Sequence, residues 1–302
     1  MNDNFRSGFV AVIGRPNVGK STLVNTLIGR KVSIISPKPQ TTRNQIKGIY
    51  TTPNEQIIFI DTPGIHKPRH ELGKFMNRSA LTTLTDVDLI LYIVDGSLDY
   101  GTGEAYVIER LKKTAVPVIL TVNKIDLIKN KNRLLENVIK YTAAYNFAAV
   151  YYVSALQGDN MDKLLGEVSA RMEPGPKYYP GEEYSASPES FIIAEIIREK
   201  ALLLTREEVP HSLAVATEEI KPAEDNPHLI DVRATIYVER SSQKKIIIGS
   251  GGQMLKEIGT LARREIVMLF GQKIFLDLWV KVETDWRNKT RELRRLGYFL
   301  EN

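Results

Sequence analysis

Two glycines, a lysine and a serine at fixed spacing carry the strongest chemical signal in this sequence. They stand in Gly14-Arg15-Pro16-Asn17-Val18-Gly19-Lys20-Ser21-Thr22, after the apolar run Phe9 to Ile13. Lys20 to Ile28 reads as a helix ended by Gly29. Strand, glycine-rich loop and helix in that order form a cradle for nucleotide phosphates, because backbone N–H groups and the positive end of the helix face the anion together. Gly14 and Gly19 supply dihedrals and a close approach that a Cβ forbids. The Lys20 ammonium is expected at the β- and γ-phosphates, with the Ser21 hydroxyl on magnesium.

Two further stretches extend that chemistry. The apolar run Gln56 to Ile60 ends in Asp61-Thr62-Pro63-Gly64. A carboxylate at the C-terminal end of a buried strand lies beside the phosphate loop of a doubly wound sheet, so Asp61 is expected to hold magnesium and the Gly64 N–H to point at the γ-phosphate. The run Val116 to Val122 ends in Asn123-Lys124-Ile125-Asp126. An Asp126 carboxylate can accept hydrogen bonds from N1–H and the N2 amine of guanine, whereas adenine offers a lone pair at N1 and nothing at C2. Asn123 would tie the base to the phosphate loop, and the Lys124 stem would lie over the ring. Ser154-Ala155-Leu156, after the strand Ala148 to Val153, would give a backbone N–H to guanine O6, assigned to Ala155.

These residues need strands that end at one edge of a sheet. Ile46 to Thr51, Leu89 to Val94 and the runs already named read as strands. Glu104 to Lys113, Arg133 to Tyr145 and Met161 to Met172 read as helices between or after them. The expected fold is α/β: a doubly wound phosphate-loop domain with a mostly parallel sheet covered on both faces, followed by a smaller α+β domain.

Together with Thr41-Thr42, the motifs Gly14 to Ser21, Asp61 to Gly64, Asn123 to Asp126 and Ser154 to Leu156 resemble the five motifs of translation-factor-class GTPases. The resemblance implies that Thr42 is the switch threonine that ligates magnesium in the GTP state, with Thr41 a second candidate. Lys20, Thr42 and Gly64 are then the residues that carry hydrolysis. In the bacterial GTPases this pattern resembles, an asparagine at the position of Asn17 accompanies a potassium ion. The residue after Gly64 is Ile65, with no glutamine nearby to orient water, which implies slow unaided turnover.

Met172 to Gly181 is rich in proline and glycine, which places a linker at 176–187 between domains at 1–175 and 188–302. Pro188 to Leu204 reads as a helix, and His211 to Ile220 and Asp231 to Arg240 as half-buried strands. A basic turn Lys244 to Ile248, then Gly249-Ser250-Gly251-Gly252, the helix Gln253 to Phe270 and the strand Lys273 to Val282 follow. This order resembles the type II KH domain, whose glycine pair lets helix ends meet tightly enough to clamp about four unpaired nucleotides. Lys244, Lys245 and Lys256 would neutralise phosphates. Ile247 and Ile248, with Ile246, would floor the bases, and Gly249 through Gln253 would border the strand. Trp286 to Phe299 reads as one basic amphipathic helix.

A GTP-binding domain followed directly by a type II KH domain resembles the Era-type ribosome-assembly GTPases. That resemblance implies GTP hydrolysis, magnesium, the 3′ end of 16S rRNA and the 30S subunit as partners, and action as a monomer in the cytoplasm with a peripheral contact at the inner face of the cell membrane. Charge fits an RNA-binding C-terminus: the balance is +6 over 1–175, −7 over 177–231 and +6 over 232–302. With no cysteine, the chain has neither disulfides nor thiolate metal sites. An RNA chaperone that uses GTP only as a structural ligand is the competing reading. An RNA-modifying enzyme is disfavoured, because no His pair or carboxylate pair at catalytic spacing occurs after residue 180.

Overall fold

The computed structural model describes residues 5–68, 70–224 and 226–299. The first residues of the expected GTP-binding domain and the last of the expected KH domain lie outside them. In chain order the elements are β1 (Arg6–Gly14), α1 (Lys20–Ile28), β2 (Ile46–Thr51), β3 (Glu55–Asp61), α2 (Glu71–Thr82), β4 (Leu89–Asp95) and α3 (Thr102–Leu111). Then come β5 (Val118–Asn123), α4 (Lys131–Ala144), β6 (Ala149–Tyr152), α5 (Met161–Ala170) and β7 (Glu173–Pro174). The remainder is α6 (Glu189–Leu204), α7 (Val209–Ser212), β8 (Ala214–Ala223), β9 (Asn226–Val238), α8 (Ser241–Ile248), α9 (Gln253–Phe270), β10 (Lys273–Val282) and α10 (Thr290–Arg295).

The chain divides into two compact units. One comprises Met1–Ser33, Thr42–Arg69 and Gly73–Ala186; the other comprises Ile34–Thr41, His70–Leu72 and Ser187–Asn302. Residues Tyr184 to Ala186 of the expected linker belong to the first unit, where they hydrogen-bond along β2 through Ile49 N–H to Tyr184 O and Ala186 N–H to Lys47 O.

In the first unit the strand order is β2-β3-β1-β4-β5-β6, with β7 paired antiparallel to the start of β1. Only β2 and β7 run against the others. β1, β4 and β5 are continuous runs of apolar residues because helices cover both faces, which removes the alternation of a one-sided sheet. β1 lies between β3 and β4, so the direction of winding reverses beside it. Val12 pairs with Asp61, Gly14 with Ile93, and Asp95 with Asn123. That register delivers the ends of four strands to one edge, where such folds bind ligands.

The second unit is a three-stranded sheet in the order β10-β9-β8, with β9 and β10 parallel. Its core joins Ile193, Ile196 and Ile197 of α6 to Val232, Ala234 and Ile236 of β9 and Ile258, Ala262 and Ile266 of α9. Helix α2 has no counterpart in the sequence reading. The strand expected from His211 starts at Ala214, because Pro210 begins a helical turn, α7. The expected single tail helix is interrupted: Trp286–Asn288 forms a 3₁₀ turn, Lys289 is extended, and α10 stops near Gly297. Burial of Trp286, whose indole N–H donates to the Ser212 carbonyl at 2.8 Å, fixes that break.

Candidate functional site

At the end of β1 the chain turns into the phosphate loop under tight steric limits. A Cβ on Gly14 would stand 2.3 Å from the Ile93 carbonyl oxygen, and one on Gly19 2.3 Å from Asn123 Nδ2. Gly19 has φ 98° and caps α1. Lys20 is buried, and its ammonium donates to the carbonyls of Arg15 at 3.0 Å and Gly14 at 3.3 Å. Burial pushes its pKa down to about 8, opposed by the charges of Asp61 and Glu104. An entering phosphate would favour the charged form again.

Ser21, Thr42 and Asp61 converge behind the loop. Ser21 Oγ donates to Asp61 Oδ2 at 2.7 Å and lies 2.9 Å from Thr42 Oγ1, which is 3.3 Å from the same carboxylate oxygen. Asp61 is fully buried, and burial raises its pKa against the opposing charge of Lys20. Its Oδ1 has no hydrogen-bond partner. A buried carboxylate with one unpartnered oxygen, ringed by two hydroxyls, suits a hard divalent cation such as magnesium. Thr41 faces elsewhere: its hydroxyl donates to the Lys38 carbonyl at 2.6 Å. The structure thus turns Thr42, the first candidate of the sequence reading, towards Asp61 and Thr41, the second, away from it. Thr42→Ala is expected to raise the magnesium concentration needed for half-maximal binding of a non-hydrolysable GTP analogue by about tenfold, and Thr41→Val to leave it unchanged. A magnesium titration of both variants checks this.

Gly64 packs against the loop so closely that a Cβ would come within 2.7 Å of the Pro16 nitrogen. Thr62 Oγ1 donates to the Val12 carbonyl at 2.8 Å, and Ile65 N–H to the Gly14 carbonyl at 3.0 Å. The Ile65 side chain is 1% exposed and belongs to the core. No side chain at that position faces the loop to orient water.

The base-side residues form a braced network. Asn123 Nδ2 donates to the Val18 carbonyl at 2.9 Å. Lys124, at φ 64°, donates to the Asn17 carbonyl at 2.7 Å and pairs with Asp95 at 2.6 Å. Ser154 Oγ donates to Asp126 Oδ1 at 2.5 Å. The Ala155 N–H, expected for guanine O6, instead donates to Asn123 Oδ1 at 2.9 Å, because that buried amide oxygen requires a donor. Leu156 is exposed. Asp95 and Glu104 escaped the sequence reading. Asp95 ends a strand in register with Asn123, which was its only signal. Glu104 is a buried carboxylate in the first turn of α3, hydrogen-bonded by Tyr92 and 3.5 Å from Arg15.

In the second unit α8 ends at Gly249, φ 73°, and Gly251 and Gly252 follow at 56° and 81°. A Cβ on Gly249 would lie 2.7 Å from Met254 Cβ, so the junction with α9 closes only on glycine. Beside it lies a groove of about 430 Å³ lined by Gly252, Leu255, Lys256, Gly259, Thr260, Arg263, Phe275, Leu276 and Leu278. Ile247 is wholly buried and Ile248 packs against the same core, so the expected apolar floor is not theirs. With Gln243 one turn earlier, Ile247 forms the inward face of α8. The floor is made by Leu255 of α9 and Leu276 and Leu278 of β10.

Comparison with known proteins bears on both units. A family described as 50S ribosome-binding GTPase matches residues 9–124, and the KH domain family matches 208–287. A variant of Aquifex aeolicus Era bound to GDP.AlF4- is 41% identical, with 98% of this chain and 100% of that one covered and a TM-score of 0.95. The chain belongs to the Era family. A structure of Era in complex with MgGDPNP and nucleotides 1506–1542 of 16S ribosomal RNA is similar to the same degree: 41% identity, the same coverage and a TM-score of 0.95. Among the described residues no helix is long and apolar enough to cross a membrane. The Era-type layout expected from the motifs is thereby shown: a phosphate-loop GTPase unit with a mostly parallel sheet, then a smaller KH unit.

Proposed function

We propose that this chain hydrolyses GTP and, through its KH unit, binds the 3′ end of 16S rRNA during assembly of the small ribosomal subunit. The observation that carries the nucleotide reading is the unpartnered Asp61 Oδ1 beside the Ser21 and Thr42 hydroxyls. Ser21, Thr42 and Asp61 would hold magnesium, which supplies charge neutralisation to the β- and γ-phosphates. Lys20 releases the Gly14 and Arg15 carbonyls and takes up phosphate charge, leaving those loop residues to shape the cradle. Asn123, braced against Val18, keeps the base-reading Asp126 in register with the loop.

Because Ile65 is buried, the Gly64 backbone N–H remains to position the γ-phosphate, and the residue after it contributes no side chain to orient water. Unaided turnover is then on the order of 10⁻⁴ to 10⁻³ per second. The RNA reading rests on the groove, where Lys256 and Arg263 flank an apolar floor beside the glycine turn. Potassium at Asn17, and a cytoplasmic location with a peripheral membrane contact, rest on the family resemblance alone.

Single-turnover hydrolysis, with and without a 16S 3′-end oligonucleotide and in potassium against sodium, tests the enzyme reading. The expected result is slow GTP hydrolysis, no ATP hydrolysis, and acceleration when potassium and RNA are present. GTP binding without turnover under all four conditions would favour the chaperone that uses GTP as a structural ligand.

A further inference from the structure

The segment Ile34–Thr41 precedes the magnesium-site threonine and groups with the second unit. Ile34 is buried in that unit's core. Ile35 N–H donates to Glu199 Oε1 at 2.8 Å, and Arg198 Nη2 donates to the Thr41 carbonyl. Arg198 is 1% exposed and is held by Glu195 through two hydrogen bonds, Nε to Oε1 at 2.7 Å and Nη2 to Oε2 at 2.6 Å. Lys200 bridges Glu199 and Glu265, which fixes the orientation of the Glu199 carboxylate.

A guanidinium buried this deeply is a poor stability device. Desolvation opposes it, and its Nη1 has no hydrogen-bond partner. Replacing both Arg198 and Glu195 by apolar side chains would cost the fold little on general grounds, whereas replacing Arg198 alone strands the largely buried Glu195 carboxylate and is destabilising. What the arrangement does accomplish is to fix one backbone carbonyl, Thr41 O. The next residue, Thr42, belongs to the first unit and presents its hydroxyl to Ser21 and Asp61.

We propose that Arg198 of α6 is a positioning residue for the magnesium site: by holding the Thr41 carbonyl, it sets the loop so that Thr42 reaches the metal. Glu195 aims the guanidinium, and Glu199 fixes the other end of the segment at Ile35. The assignment rests on the GTPase reading, and it deepens that reading by placing a determinant of triphosphate binding in the first helix of the KH unit. Thr42 serves the metal only with a triphosphate, so the effect of losing Arg198 is selective for the nucleotide.

The test uses the full chain and measures fluorescent GDPNP and GDP binding across a magnesium titration. Arg198→Lys keeps a charge beside Glu195 and loses the forked donor; Arg198→Met removes both. Each is expected to raise the magnesium midpoint for GDPNP by about tenfold, the worth of one hydrogen bond from a charged donor, and to leave that for GDP unchanged. Affinity for the rRNA oligonucleotide without nucleotide, unchanged in Arg198→Lys, reports that the second unit is folded. Equal shifts for both nucleotides, or no shift in Arg198→Lys, would overturn the proposal. Wild-type protein that bound neither nucleotide would instead overturn the GTPase reading itself.

Discussion

Asp126→Asn is expected to lower affinity for GTP by roughly 10²- to 10⁴-fold, the worth of two hydrogen bonds to a charged acceptor, and to make xanthosine triphosphate the better ligand. The carboxylate offers acceptors to guanine N1–H and the N2 amine. An amide offers one acceptor and one donor, so its NH₂ would confront the N2 amine. Xanthine carries a carbonyl at C2 and accepts that donor. Ser154 makes the outcome definite. Its hydroxyl donates to Asp126 Oδ1, so the oxygen of an amide there stays with Ser154 and the NH₂ turns to the base. Asp126 is exposed, and the fold has no stake in its charge. Competition binding with GTP, ATP and xanthosine triphosphate on parent and variant is the measurement. ATP competing equally with GTP for the parent protein would show that Asp126 does not read the base.

The residues legible in the sequence share a physical property: each is needed for what its own backbone or terminal atoms do at a fixed point in the chain. Gly14 and Gly19 are required where a Cβ would strike the Ile93 carbonyl or the Asn123 amide. Asp61, Asn123 and Asp126 sit at or just after strand ends, so apolar runs announce them. Contributions made by packing were not legible. Thr41 and Thr42 are identical neighbours, and only the fold turns one towards Asp61 and the other towards Lys38. Arg198 lies within a long apolar-charged helix, and its role depends on a segment more than 150 residues away. Ile246, Ile247 and Ile248 look alike in sequence, yet one is exposed and one is wholly buried. The groove floor comes from Leu255, Leu276 and Leu278, on two elements that meet only in three dimensions.

Gly251→Asp is expected to reduce affinity for the single-stranded 16S oligonucleotide by about 10²-fold or more while leaving the second unit folded. Gly251 has φ 56°, and a Cβ there would meet nothing within 4 Å. The substitution therefore costs only the left-handed backbone conformation, about 1–2 kcal/mol, and less for aspartate, which tolerates it. What it adds is a negative charge at the turn where the sugar-phosphate backbone must pass, and like charges brought together in an interface cost several kcal/mol. Backbone strain and charge can be separated by a second variant. Gly271 also has a positive φ, 68°, and open space for a Cβ, and it caps the opposite end of α9, roughly 27 Å from the glycine turn for an 18-residue helix. Gly271→Asp should carry a similar conformational cost and leave RNA affinity unchanged. The pair is read by fluorescence anisotropy with the oligonucleotide and by thermal melting. If both variants bind RNA like the parent, the glycine turn is a structural hinge and the groove beside it does not hold the strand. If both lose affinity in proportion to lost melting temperature, the effect is one of folding. Loss confined to Gly251→Asp places the RNA-binding surface at that turn, because the two aspartates share exposure and conformational cost and differ in their distance from the groove.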